Sequence, residues 1–95
     1  MKPYEIEIKA RALRAIQEKL PVKVVDVVLN FIHGPLAENP YRVGKQLDAP
    51  FKNTWGARRG DYRIIYAINK VKHLVIVLDV DHRSHMYATK FLGMD

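Results

Sequence analysis

The chain begins with strict alternation. Tyr4, Ile6 and Ile8 fall on one side and Glu5, Glu7 and Lys9 on the other, which predicts a half-buried strand over residues 4–10. The period then lengthens. Leu13, Ile16 and Leu20 recur at helical spacing, with Arg11, Arg14 and Glu18 on the opposite side. Pro21 marks a break and suits the first turn of a second helix. The stretch from Val22 to Ile32 is rich in valine, so propensity alone favours a strand. Its polar residues decide otherwise: Lys23, Asp26, Asn30 and His33 form one stripe on a helix and no face of a strand. His33-Gly34-Pro35 supplies the expected stop for that helix.

Prolines and glycines spread through residues 34–52, and the stretch is expected to be an ordered loop. A short, weakly marked strand follows at Asn53–Arg58, then two clear ones at Asp61–Asn69 and His73–Asp81. In the first clear strand Tyr62, Ile64, Tyr66 and Ile68 alternate with Arg63, Ile65 and Ala67, giving two unequal faces. In the second, Leu74–Leu78 is apolar on both sides, as a central strand should be. Asn69–Lys72 is short enough to be a hairpin connection. A last short strand is expected at Ser84–Thr89, and residues 91–95 carry no pattern. The order is β-α-α-β-β-β-β. Two helices must bury their stripes against one face of a mostly antiparallel, twisted sheet, so the fold class is α+β and the other face is left for function. Residues 1–95 are expected to form a single domain.

Composition narrows the partners. Sixteen Lys and Arg against ten Asp and Glu leave a net charge of +6, which favours a polyanion, nucleic acid first and acidic protein second. The absence of cysteine excludes disulfides and thiolate metal sites. No stretch resembles a signal peptide or approaches the roughly 20 apolar residues of a membrane span. A soluble, cytoplasmic protein with no membrane partner is therefore expected.

The cations cluster at Arg42, Lys45, Lys52, Arg58, Arg59 and Arg63, and again at Arg83, where acidic residues are sparse. Such a surface attracts a phosphate backbone. Tyr41, Trp55, Tyr62 and Tyr87 lie among these cations and offer rings for stacking on unpaired bases. Tyr62 shares a face with Ile64 and Ile68 and reads as core, whereas Trp55 fits core and ligand equally well. Arg63 faces away from Tyr62 and Ile64, on an otherwise apolar strand, and needs an anion there. That anion is either Asp79 or Asp81 of the adjoining strand, or a ligand phosphate.

If residues 82–87 are extended, Arg83, His85 and Tyr87 share one face. RNA cleavage by 2′-hydroxyl attack needs a base, cations for the developing phosphorane charge and an acid for the leaving oxygen, and these three side chains offer all of them without a metal. A solvated terminal strand would show the same pattern. His82 and His85 with Asp79 and Asp81 alternate between faces and do not converge on a metal. No metal or other cofactor is expected.

Three segments occur in order: Val43-Gly44-Lys45-Gln46-Leu47, then Ala57-Arg58-Arg59-Gly60-Asp61-Tyr62-Arg63-Ile64-Ile65-Tyr66, then Val80-Asp81-His82-Arg83-Ser84-His85-Met86-Tyr87. Together they resemble the RelE branch of the RelE/ParE toxin superfamily, and the likeness spans Tyr4 to about Tyr87. The resemblance implies the toxin of a type II toxin–antitoxin system. It implies a metal-independent endoribonuclease that enters the ribosomal A site, meets rRNA there and cuts the bound mRNA codon. It also implies a RelB-like antitoxin that forms a hetero-oligomer with the toxin. Arg63 matches the arginine that steadies the scissile phosphate, Arg83 the one near the leaving group, and Tyr87 the tyrosine proposed as general base. Basic residues common in the family are lost at Thr54 and Gly56, and Lys45, Lys52, Arg58 or Arg59 is expected to supply the missing charge, with His85 adding a titrating group. Two other functions share the scaffold: a ParE-like poison of DNA gyrase, and a ribosome- or RNA-binding domain without catalysis.

Overall fold

A computed structural model of the chain describes residues 2–47 and 53–82. The strand expected at Ser84–Thr89 lies outside these residues. Five strands form one sheet: β1 (Glu5–Ile8), β2 (Lys45–Gln46), β3 (Thr54–Arg59), β4 (Tyr62–Asn69) and β5 (Leu74–His82), in the spatial order β1-β5-β4-β3-β2. Pairing is antiparallel except between β1 and β5, which run parallel from Glu5 opposite Leu74 to Ile8 opposite Val77. Two helices, α1 (Ala10–Glu18) and α2 (Val22–Phe31), separate β1 from the rest, with α1 against β5 and α2 against β3. The expected α+β class and mostly antiparallel sheet are borne out.

Period 2 in the strands and period 3.6 in the helices meet in one core. Ala57, Ile64, Tyr66, Ile68, Val75, Val77 and Val80 from the sheet pack with Ala12, Ala15, Ile16, Val28 and Phe31 from the helices. On α1 the buried stripe is rotated from the expected one. Ala12 and Ala15 flank Ile16 on the inner side, and Leu13 is 42% exposed. Two alanines let the helix axis come close to β5, where a leucine at either position would hold it off. On α2 the polar stripe Lys23, Asp26, Asn30 is exposed as expected.

The second helix does not stop at His33-Gly34-Pro35. It widens into a π-helical turn, Ile32–Leu36, that keeps Ile32, Leu36 and Ala37 buried. Proline has no N–H to donate and collides with the carbonyl four residues back in an α-helix, and one wider turn accommodates both defects. A second difference lies in the stretch expected as a loop. Lys45 and Gln46 form the edge strand β2, opposite Gly56 and Trp55, and the Leu47 N–H donates to the Thr54 carbonyl at 2.8 Å.

The register of β4 and β5 slips once. Ile64 lies opposite Val80 and Ile65 opposite Asp79, but Tyr66 lies opposite Val77, so Leu78 is an extra residue on β5. This bulge reverses the alternation of the strand. Val75 and Val77 face the helices, and beyond the bulge Val80 does so too, while Asp81 turns to the other side with Arg63. A regular strand would have placed Asp81 on the same face as Val77; the bulge places it opposite Arg63 instead.

Candidate nucleic-acid interface

No helix among the described residues covers the second face of the sheet, and the cations gather there. β3 and β4 are joined by the two-residue turn Gly60-Asp61, in which Gly60 takes φ +60°. That tight turn fixes the register so that Arg58 lies directly opposite Arg63, and β5 places Asp81 directly opposite Arg63 on its other side. One row therefore reads Arg58–Arg63–Asp81 across three strands. The next row on the same face reads Lys45–Gly56–Ile65–Asp79 across four. Arg58 and Lys45 are exposed, Arg63 is half-buried, and Asp81 is 6% exposed. From strand spacing alone, the Lys45 and Arg63 Cα atoms stand roughly 12 Å apart.

Like charges directly opposite each other on neighbouring strands repel. The Arg58–Arg63 juxtaposition therefore concentrates positive charge on this face. Thr54 and Gly56, where the family resemblance leads one to expect cations, belong to this same face, since Thr54, Gly56 and Arg58 alternate along β3. Arg58 is the next residue of that face, and Lys45 is the register partner of Gly56. A guanidinium and an ammonium therefore flank the two vacated positions.

A single contact brings two of the sequence motifs together and sets where Lys45 stands. The Tyr66 hydroxyl, fully buried, donates to the Pro40 carbonyl at 2.7 Å. Gly44 lies against that hydroxyl. A Cβ there would overlap Tyr66 Oη and come within 2.8 Å of the Gly56 carbonyl. Glycine is required here by close approach, and the contact ties the segment before β2 to the centre of β4. Burial raises the Tyr66 pKa well above its ordinary value of 10, so the phenol stays a donor through the working range.

Not every expected contact residue joins this face. Arg59 follows Arg58 and therefore points to the helix side, where its guanidinium lies 3.7 Å from the centre of the Phe31 ring. It also donates to the Arg58 carbonyl at 2.7 Å. Tyr62 is half-buried on the same helix side, edge-on to His82 with ring centroids 5.4 Å apart. Trp55 is half-buried against the core and meets Tyr41 edge-on at 5.4 Å. Both rings thus take part in packing. Lys52, Arg83, His85 and Tyr87 lie outside the described residues.

Sequence reasoning offered Asp79 or Asp81 as the partner of Arg63, and the structure separates them. Asp79, 2% exposed, forms an ion pair with Arg11 of α1, Oδ2 to Nε 3.3 Å, and its Oδ1 accepts the Val80 N–H at 2.8 Å. Asp81 is the one that stands across from Arg63. The signal was present in the sequence as two aspartates at alternate positions of a valine strand, but only the bulge tells which side they take. No group of three or more His, Cys, Asp or Glu side chains among the described residues is arranged to hold a metal.

Two helices on one face of a five-stranded sheet and an arginine row on the other define a class of small basic α+β domains. The family described as "ParE toxin of type II toxin-antitoxin system, parDE" matches residues 7–87, and the chain belongs to that family, within the RelE/ParE superfamily. Two curated relatives from Mycobacterium tuberculosis carry RelE-type names. Toxin RelE is 41% identical over 90% of this chain and 87% of its own length, and Toxin RelG is 39% identical over 90% and 97%. Among solved structures, the toxin–antitoxin complex RelBE2 from the same organism contains a chain that superposes with a TM-score of 0.83. That chain is 39% identical, and the match covers 88% of this chain and 95% of that one.

Proposed function

We propose that this RelE-like toxin of a type II toxin–antitoxin system is an endoribonuclease that enters the ribosomal A site and cuts the mRNA codon held there. The observation that carries the proposal is the Arg58–Arg63 pair. Two arginines opposite each other in register, with Lys45 on the neighbouring row, suit a phosphodiester whose negative charge grows during reaction. The ribose 2′-oxygen attacks phosphorus and loses its proton to a base. The bond to the 5′-oxygen then breaks, leaving a 2′,3′-cyclic phosphate and a 5′-hydroxyl. Arg63 steadies the non-bridging oxygens. Arg58 and Lys45 hold the strand on either side and replace the cations absent at Thr54 and Gly56. Arg83 and Tyr87 keep the roles that the family resemblance implies, near the leaving group and as general base, with His85 and Lys52 as further RNA contacts. Arg59 contributes by fixing the end of β3 on Phe31. Guanidiniums supply the positive charge, so no step calls for a metal.

The site of action is the cytoplasm, where mRNA and rRNA are met together. No helix among the described residues is long and apolar enough to cross a membrane. A RelB-like antitoxin holds the toxin inactive in a hetero-oligomer; the similar RelBE2 chain of Mycobacterium tuberculosis was solved in a toxin–antitoxin complex. Leu13, Val22 and Val27, exposed on α1 and α2, offer apolar positions for it.

The test is to map transcript 5′ ends at nucleotide resolution in a purified translation system. The wild type should cut within A-site codons, and Arg63→Ala should lower the rate by about 100-fold or more. Unchanged cutting by an Arg58→Ala/Arg63→Ala double variant rejects the site. The family's ParE namesake motivates one competing reading, a poison of DNA gyrase. Loss of supercoiling with intact transcripts would favour it over the nuclease.

A further inference from the structure

We propose that the end of the sheet at the Asn69–Lys72 turn is a second RNA-binding surface, where Lys2, Arg42, Lys70 and Lys72 meet ribosomal RNA phosphates and Tyr41 stacks on an unpaired base. The inference rests on the ribosome-dependent reading above and adds the surface that holds the toxin to ribosomal RNA away from the cut codon.

Four rings join into one run across this end. Trp55 of β3 meets Tyr41 edge-on at 5.4 Å, Tyr41 meets Tyr4 edge-on at 6.4 Å, and Tyr4 stacks on His73 with ring centroids 3.7 Å apart. Tyr4 and Trp55 back onto the core, whereas Tyr41 is 41% exposed. A ring braced by its neighbours and open on its outer side can stack on a base with little further ordering. The turn between β4 and β5 is pinned to the same run. His73 takes φ +56°, a conformation uncommon outside glycine and asparagine, and its Nε2–H donates to the Lys2 carbonyl at 2.8 Å. The Asn69 Oδ1 accepts the Lys72 N–H at 3.0 Å, which braces the turn from within.

The four cations are all exposed, and each is tied to the rings. Lys2 is held through His73, and Arg42 follows Tyr41 in the chain. Partial burial raises the Tyr4 pKa, and the Lys70 ammonium is close enough to oppose that rise. Residues 39–47 and 69–74 include no acid, and Glu5 faces away from Tyr4 along β1. Cations interleaved with an open ring match a phosphate backbone that carries unpaired bases. The exposed Leu13, Val22 and Val27 of the helices are apolar and suit a protein instead. Position decides which RNA is met. Along β4, Asn69 stands roughly 20 Å from Arg63, and the rings lie on the helix side of the sheet. A codon lying across Arg58 and Arg63 on the open face leaves this end to other RNA, which on the ribosome is ribosomal RNA.

The experiment measures binding of the whole chain to purified ribosomes, to a free single-stranded mRNA oligonucleotide and to heparin, over a range of salt. Urea unfolding checks that each variant is folded. Lys70→Glu/Lys72→Glu should weaken ribosome binding about tenfold or more and lower the salt slope by about 1.4. Arg14→Glu/Lys19→Glu, the same charge change on the exposed side of α1, should weaken it far less. Tyr41→Leu should weaken ribosome binding about fivefold or more and heparin binding not at all, with Tyr41→Phe near wild type. Dimethyl sulfate probing should find a ribosomal RNA base that the wild type protects and Tyr41→Leu does not. Wild-type affinity in the Lys70/Lys72 variant, equal losses in the α1 control, or a Tyr41→Leu loss shared by heparin overturns the proposal. Losses as large on the free oligonucleotide reassign the surface to mRNA and overturn it equally. If the wild type binds ribosomes through this end yet cuts no codon, the nuclease reading fails and the second surface stands. If it cuts codons while the Lys70/Lys72 variant binds like wild type, the second surface fails and the nuclease reading stands.

Discussion

The two faces of the sheet are made from the same strands and obey different physics. On the helix side, Ile64, Tyr66, Ile68, Val75, Val77 and Val80 are all at most 4% exposed, and they pack against the helices in one core. On the other side, Arg58 and Lys45 are exposed and Arg63 is set opposite a second arginine. Ion pairs at such a surface stabilise by about 0–1 kcal/mol, and like-charge pairs destabilise by similar amounts. One face therefore holds the molecule together, and the other carries exposed charge at little gain in stability. Consecutive residues belong to opposite faces, as Arg58 and Arg59 show. The first faces the candidate site, and the second lies over Phe31.

Substitutions should separate the faces cleanly. The largest effect is expected on the helix side, where Ile64→Ala should cost about 2–5 kcal/mol in urea unfolding. A comparable loss from Arg58→Ala would abolish the distinction. Gly44→Ala comes next, at about 1–3 kcal/mol, because the new methyl must displace Tyr66 Oη or the Gly56 carbonyl. Tyr66→Phe removes the bond to the Pro40 carbonyl and should cost about 1–2 kcal/mol in the same assay. On the cationic face, Arg58→Ala and Lys45→Ala should shift stability by at most about 0.5 kcal/mol. Each should still reduce the slope of log affinity against log salt for single-stranded RNA by about 0.7. An unchanged slope for both variants would remove them from the interface.

The smallest effect is a pH dependence that belongs to the helix side. Burial raises the Tyr66 pKa in the folded state, so above the unfolded value of about 10 the folded chain binds more protons than the unfolded one. Stability from this group is thus fully present below pH 10 and falls as pH rises beyond it. Unfolding measured from pH 9 upward should show the decline in the wild type and less of it in Tyr66→Phe.

Much of this was legible before any coordinates. Strict alternation gave β1 and the unequal faces of β4, and the polar stripe on α2 overruled valine's strand preference correctly. Arg63 was identifiable because an arginine on the non-core side of an apolar strand must answer to an anion. Other features were hidden for specific reasons. Leu13 looked like core by hydrophobicity, but the close helix–sheet approach selected the alanines beside it. Pro35 looked like a stop because the rule for proline assumes an α-helical turn. Lys45-Gln46 carries no strand signal of its own, being two residues long and held by pairing with Gly56 and Trp55. Arg59 and Arg58 were indistinguishable in composition and were assigned together, and the register of β3 separated them.

The amino-acid order alone settled the alternation of β1 and β4, the two helices and the excess of positive charge. Those are local quantities, read from neighbours along the chain. Tertiary structure decided which distant side chains became neighbours. It placed Gly44 under the Tyr66 hydroxyl and Lys45 beside Gly56, and by one inserted residue at Leu78 it turned Asp81 toward Arg63. A period of two repeats without regard to what lies across the ladder, and only the pairing of distant strands shows where that repeat breaks.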